Sequence, residues 1–451
     1  TFNGVIVPDL KFFNLIVMTV FSCVWLLARW RGSWRWHITP LDLIFTLWGA
    51  VIVLSIVSNS DAWRRSMIGV WYIAFYAVIW FMLSDMLTNK RLKRDTLIDG
   101  LLFAGIIILV FGYVQIGRSS FDLASLDFPR PGSLIGNPNS LGAFLIVLLA
   151  FSVARFLYLR NRLARIILGI YGLLCGALLF LTFSRGAWLG AGSSVMVLIV
   201  LHARQQGVTS PAQIGVWWGG LSQKTRKLYT GGVATILLIG IIGGVLLLQS
   251  LSISGRTTEL RTRIWSDAMT LISEKPITGH GIFQFGRAYE RVESMPPFQP
   301  HSHAHNLILH ITVEMGLVGL LVTVVSAFWI IRVVDRNWRE APSRHRATMT
   351  GAYMAMIGFG VHHLLDTPMM MPAIALAGLL VLLIAIIPAE FSPMQANWRR
   401  LGHPIGLIGL ITVLLVSGFW STNVYRDYAN ALLLVNDDDY RGAADGIQSA
   451  I

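Results

Sequence analysis

The sequence predicts an all-α, polytopic transmembrane helical bundle of about twelve spans, and three observations predict it. Of 451 residues, 55% are AVILMFWYC and 13% are charged, where a soluble domain carries about a quarter charged residues. The mean hydropathy is +0.63. Apolar runs of the roughly 20 residues that a bilayer crossing needs recur along the chain without period-2 alternation. Unpaired backbone in hydrocarbon is too costly, so the runs are helices. A water-soluble enzyme is excluded.

The runs place spans at 12–28, 41–58, 67–87, 97–116, 139–154, 166–183, 187–202, 229–250, 307–331, 348–364, 371–388 and 405–421. Connections after the odd-numbered spans hold 22 of the 36 Lys and Arg, with Lys90, Arg91, Lys93 and Arg94 the densest group. Lys and Arg are enriched in cytoplasmic connections, so the even connections, including a long loop at 251–306, face outward. The net charge of +13 follows from this sidedness and does not indicate nucleic-acid binding. Cys23 and Cys175 lie inside apolar runs and offer neither a disulfide framework nor a thiolate metal site.

Residues 1–421 read as one membrane domain. Residue 1 falls outside and is Thr1, from which we expect a further segment before it. Residues 422–451 turn polar and acidic, with Asp437, Asp438 and Asp439, and have a small-residue rhythm from Ala429 to Ala450. They open either a tetratricopeptide-like repeat domain or a short capping helix.

Polar groups at the mouths of spans are expensive and point to function. Arg185, in the hairpin Thr182-Phe183-Ser184-Arg185-Gly186, is a permanently charged fork suited to phosphate or a snorkelling anchor. In the long loop, Leu260, Ile264, Ala268, Leu271 and Ile272 recur at helical spacing, ended by Pro276, Gly279 and Gly281. An amphipathic helix follows. Arg256 and Arg263 fall on one face of a helix running through both; one is a second phosphate clamp, or the helix is a basic interfacial one. His301, His303 and His305 alternate before Asn306 and the helix carrying Glu314. They supply a general base, a zinc site, or solvated side chains. Asp366, after His362 and His363, orients a histidine or sugar hydroxyls, or caps a helix. Arg130 and the turn Gly136-Asn137-Pro138-Asn139-Ser140 lead into a span, where Asn139 or Ser140 makes a good N-cap.

In their order, Gly-Asn-Pro-Asn at 136–139, Ser184-Arg185-Gly186, Arg263-Ile264-Trp265, Gly279-His280-Gly281, His303-Ala304-His305-Asn306, Glu314-Met315-Gly316 and Asp366 resemble the O-antigen ligase and polymerase superfamily over roughly 128–385. The resemblance implies a bundle of the C-type glycosyltransferase kind in the bacterial cytoplasmic membrane, active on its outer face. It implies an undecaprenyl diphosphate-linked glycan donor, an acceptor glycan, glycolipid or protein, an inverting reaction, and neither metal nor other cofactor. Carried over by residue, the base is His305, and Arg185 and Arg263 hold the diphosphate, with Arg256 competing for the latter match. Arg130, Asn137, Asn139, His303, Asn306, Glu314 and Asp366 are expected around the substrate. A secondary transporter would place ionisable residues at the midplane, where this sequence has almost none. A non-catalytic assembly subunit would tolerate loss of the histidines and arginines.

Overall fold

A computed structural model describes residues 17, 20–25, 27–28, 41–118, 130–208, 210–223, 225–227, 230–231, 260–293, 301–388, 408–420 and 423. Among the described residues the regular structure is helical, with no strand. The helices are α1 (Asp42–Ser58), α2 (Trp63–Thr88, after a 3-10 turn at Ser60–Ala62), α3 (Arg94–Arg118), α4 (Pro138–Tyr158), α5 (Arg162–Leu181), α6 (Arg185–Gln205) and α7 (Ile214–Gly220). Then come α8 (260–274), α9 (Phe285–Glu290), α10 (Leu307–Glu340), α11 (Arg346–His363), α12 (Pro372–Ile386) and α13 (Ile408–Trp420). Among the described residues six helices are long and apolar enough to cross a membrane, and α1, α12 and α13 are shorter apolar helices. The protein is a multi-pass membrane protein. Of the twelve runs, 12–28 is described only at residues 17, 20–25 and 27–28, all helical. The run 229–250, except residues 230 and 231, and the tail 422–451, except residue 423, lie outside the described residues.

Local chemistry sets the helix starts. Asn137 accepts from the amides of Asn139 (2.9 Å) and Ser140 (3.0 Å), and Pro138 occupies the first helical position, where its missing N–H costs nothing. Asn161, Ser184 and Asn306 cap α5, α6 and α10 in the same way. Helix α4 is central: Leu141, Leu145, Ile146 and Phe151 are buried, and it packs on α5, α6 and α11. On α6, Gly186, Gly190 and Ser194 recur every fourth residue and let α11 approach closely. A Cβ at Gly190 would lie 2.5 Å from Gly358 O, and Ser194 Oγ donates to Met354 O at 2.9 Å. Small residues are the usual route to tight contact between helices in lipid. The seam fixes the start of α6, and with it Arg185, against the C-terminal end of α11.

The motif around Gly316 has a structural origin. Gly316 (φ 64°, ψ −166°) breaks α10, and the segment 276–281 hydrogen-bonds into the gap. His280 N donates to Val313 O (2.8 Å), Gly281 N to Glu314 O (2.9 Å), and Leu317 N to Pro276 O (2.8 Å). The backbone groups released by the break are thereby satisfied. The expected amphipathic helix is α8, and its apolar stripe packs into a small separate core: Ile264, Ala268 and Leu271 meet Phe285, Tyr289, Ala304 and Val313.

The connections segregate to two ends. At one end Arg155 pairs with Asp99, Arg204 with Asp335 at 2.7 Å, and Arg94 donates to the carbonyls of Ile387 and Pro388. At the other end, loops joined by direct contacts bring together 59–62, 130–139, 182–185, α8, α9, 301–306 and 364–367.

Candidate active site

At this second end Asp366 gathers four donors. Its Oδ1 accepts from His305 Nδ1 (2.9 Å) and from the Thr367 amide (2.8 Å). Its Oδ2 accepts from Asn139 Nδ2 and from Arg261 Nη2 (3.2 Å). Burial of the side chain, 7% exposed, opposes ionisation, but the hydrogen bond and charge of His305, then Arg261 and the Thr367 amide, outweigh it and hold the carboxyl below the usual range. An ionised carboxylate only accepts. The proton between Asp366 and His305 therefore sits on Nδ1, which leaves Nε2 as the one ring position that can take up or give a proton.

Each partner is positioned by its element. His305 adopts φ 51°, a left-handed conformation costly for a non-glycine residue, directly before the cap residue Asn306. Asn306 Nδ2 donates to Leu364 O (2.9 Å), tying the His305 turn to the loop that carries Asp366. On α8, Arg261 and Trp265 lie one turn apart on one face; Arg261 reaches Asp366 and Leu365 O, and Trp265 Nε1 donates to Ala304 O (2.9 Å). Arg130 Nε donates to Thr182 O (2.9 Å) in the hairpin before Arg185, and Nη2 donates to Asn139 Oδ1 (3.1 Å).

Three guanidiniums and one carboxylate thus share this region: Arg261 pairs with Asp366, Arg130 feels both, and Arg185 feels Arg261. Burial, then the charge of Arg261, pushes Arg130 below its ordinary pKa, with Asp366 opposing and Arg185 adding to the fall. Arg185 and Arg261 repel each other as well. The group holds more positive than negative charge, and an anion placed among the three would relieve the repulsion.

The structure links His305, Asp366, Asn139 and Arg130 through hydrogen bonds, and Arg185 lies close enough to Arg130 and Arg261 to repel both. His303 stands beside His305, ring centroids 4.3 Å apart, and burial, reinforced by His305 and His310, pushes its pKa down to about 3. Asn137 acts as a helix cap. Glu314 does not reach His305: its carboxylate accepts the Phe285 amide (3.1 Å), and His310 lies 3.7 Å away. Arg263 is two residues from Arg261, about 200° around the helix, and lies toward Tyr289. Arg256 lies outside the described residues. The guanidinium that the sequence analysis passed over is Arg261; its signal was Trp265, four residues on, facing the same way.

His303, His305 and Asp366 bring one potential metal-ligand atom each within 4.8 Å of one another. The donor set fits a cation poorly. Asp366 already accepts four hydrogen bonds, and three guanidiniums repel a dication.

Residues 170–324 match the protein-family model described as O-antigen ligase. This segment is similar to the O-antigen ligase family. No curated protein matches the chain. The O-antigen ligase segment contains Arg185, Arg261, His303 and His305, whereas Arg130, Asn139 and Asp366 come from flanking sequence. The site is therefore assembled across the boundary of the matched segment.

Proposed function

We propose that the protein is an inverting membrane glycosyltransferase that moves a glycan from undecaprenyl diphosphate onto an acceptor hydroxyl at the outer face of the bacterial cytoplasmic membrane. The observation that carries this reading is His305, held by a saturated Asp366 with Nε2 left to take up or give a proton, beside Arg130, Arg185 and Arg261. His305 Nε2 takes the proton of the acceptor hydroxyl. The oxygen attacks the anomeric carbon, the bond from that carbon to the diphosphate oxygen breaks, and its electron pair leaves with the diphosphate. The guanidiniums stabilise the charge that develops there. Arg261 takes the clamp role that the resemblance gave to Arg263, because Arg261 is the one that reaches Asp366.

Purified protein in proteoliposomes, supplied with an undecaprenyl diphosphate oligosaccharide and candidate acceptors in EDTA, tests the mechanism. Product should form without added metal. H305Q should lower transfer by about 10²–10⁴-fold, the usual weight of a general base, and still bind donor. R261Q should weaken donor binding as well. Full transfer by H305Q would remove the base assignment, and abolition by EDTA would remove the metal-free one.

A further inference from the structure

A polar cavity of about 240 Å³ opens at the same end of the bundle between the Asn59–Ala62 turn, the end of α8 and α9. It shares no residue with the Asp366 cluster. Lys275 Nζ donates to Asn59 Oδ1 (2.8 Å) and, among the described residues, pairs with no carboxylate. Arg287 has no hydrogen bond or ion pair among the described residues. Arg291 is occupied by Glu274 (3.3 Å) and by His280 Nδ1.

One buried acceptor in the lining also lacks a donor. Gln284 is 2% exposed. Its Nε2 donates to Ala62 O (3.2 Å) and lies 3.4 Å from Ser66 Oγ, while its Oε1 has no partner. A buried acceptor without a donor is costly, so a hydroxyl-bearing ligand gains by entering. Asp61, on the rim, is a second acceptor without a hydrogen bond or ion pair among the described residues.

A ligand that answers both needs carries an anionic group for Lys275 and Arg287 and hydroxyls for Gln284 and Asp61. The volume lies below the roughly 300–1,000 Å³ of pockets for drug-sized ligands, so it suits one sugar unit. We propose that this cavity is a binding site for a single anionic sugar residue, bearing phosphate or carboxylate, of the glycan that the enzyme handles. The role of that sugar in transfer rests on the function proposed above; its binding does not.

Calorimetry on the full chain in nanodiscs tests this with glucose 6-phosphate, glucuronate, glucose and inorganic phosphate. Glucose 6-phosphate or glucuronate should bind saturably, and whichever binds more tightly names the anionic group. R287Q and K275Q should each weaken that binding about tenfold, the weight of a charge-assisted hydrogen bond. D61N should weaken the anionic sugar but not inorganic phosphate. No saturable binding of either sugar anion, equal affinity for inorganic phosphate, or binding unchanged in R287Q and K275Q would each overturn the proposal. Binding preserved in H305Q with transfer lost supports both readings. If H305Q keeps full transfer while the sugar anion still binds, the mechanism falls and the cavity site stands.

Discussion

Asp366 shows how one side chain sets the chemistry of its neighbours. It fixes the tautomer of His305, anchors Arg261 and holds Asn139, which in turn receives Arg130. In D366N an amide N–H₂ replaces one carboxylate oxygen and meets N–H donors instead of serving them. Transfer by D366N should fall by about 10²–10⁴-fold, with fold retained in size-exclusion profiles; near-normal rates would show that His305 is oriented by something else. His303 gives a pH test. Burial holds its pKa in the folded chain at about 3 against an ordinary 6.5, so between these values the unfolded chain binds a proton that the native chain does not. Stability from this residue is present above about pH 6.5 and is lost as pH falls toward 3. Thermal denaturation between pH 7 and 4 should show a shallower acid slope in H303Q than in the parent. Identical slopes would mean that the fold does not hold His303 neutral. The sequence made His305, Arg185 and Asn139 conspicuous because polar groups at span ends are rare. Choosing between Arg261 and Arg263 needed the phase of α8 relative to Asp366, which no spacing within the loop discloses.

The element that organises the site end is the broken α10. A Cβ at position 316 would lie 2.1 Å from Ile277 O, and the positive φ disfavours any L side chain. G316A should therefore destabilise the protein by more than the roughly 1–3 kcal/mol of left-handed strain alone, and it should displace the 276–281 segment. Gly49 in α1 has nothing within 4 Å of such a Cβ, so G49A should leave stability unchanged or raise it by up to about 1 kcal/mol. Equal melting temperatures for the two variants would show that the break is not structurally required. In the sequence Gly279-His280-Gly281 and Glu314-Met315-Gly316 stand as separate marks of a family resemblance. They are two halves of one hydrogen-bonded junction, which carries Glu314 to the start of α9 and away from His305.

For the molecule as a whole, the division of charge between the two ends carries the orientation. In a C23S background, which removes the exposed cysteine and leaves the buried Cys175, a membrane-impermeant maleimide added to intact cells should label S302C at the site end. Labelling of R160C at the opposite end should require permeabilised cells. The reverse pattern would turn the bundle over and put the site on the cytoplasmic side. The expectation of this orientation rests on the 22 Lys and Arg in alternate connections, because charge bias acts on short loops whatever their fold.

The sequence by itself determined that the chain is helical and membrane-embedded. Both follow from hydropathy and from the cost of unpaired backbone in hydrocarbon, which are local properties. It also marked the span mouths where polar residues stand. Only the tertiary structure decided which of those residues meet. Arg130, Asn139, Arg185, Arg261, His305 and Asp366 come from distant parts of the chain. Their convergence depends on the glycine seam between α6 and α11, the break in α10 and the rotation of α8, and packing of this kind is a property of pairs of helices and not of any one run.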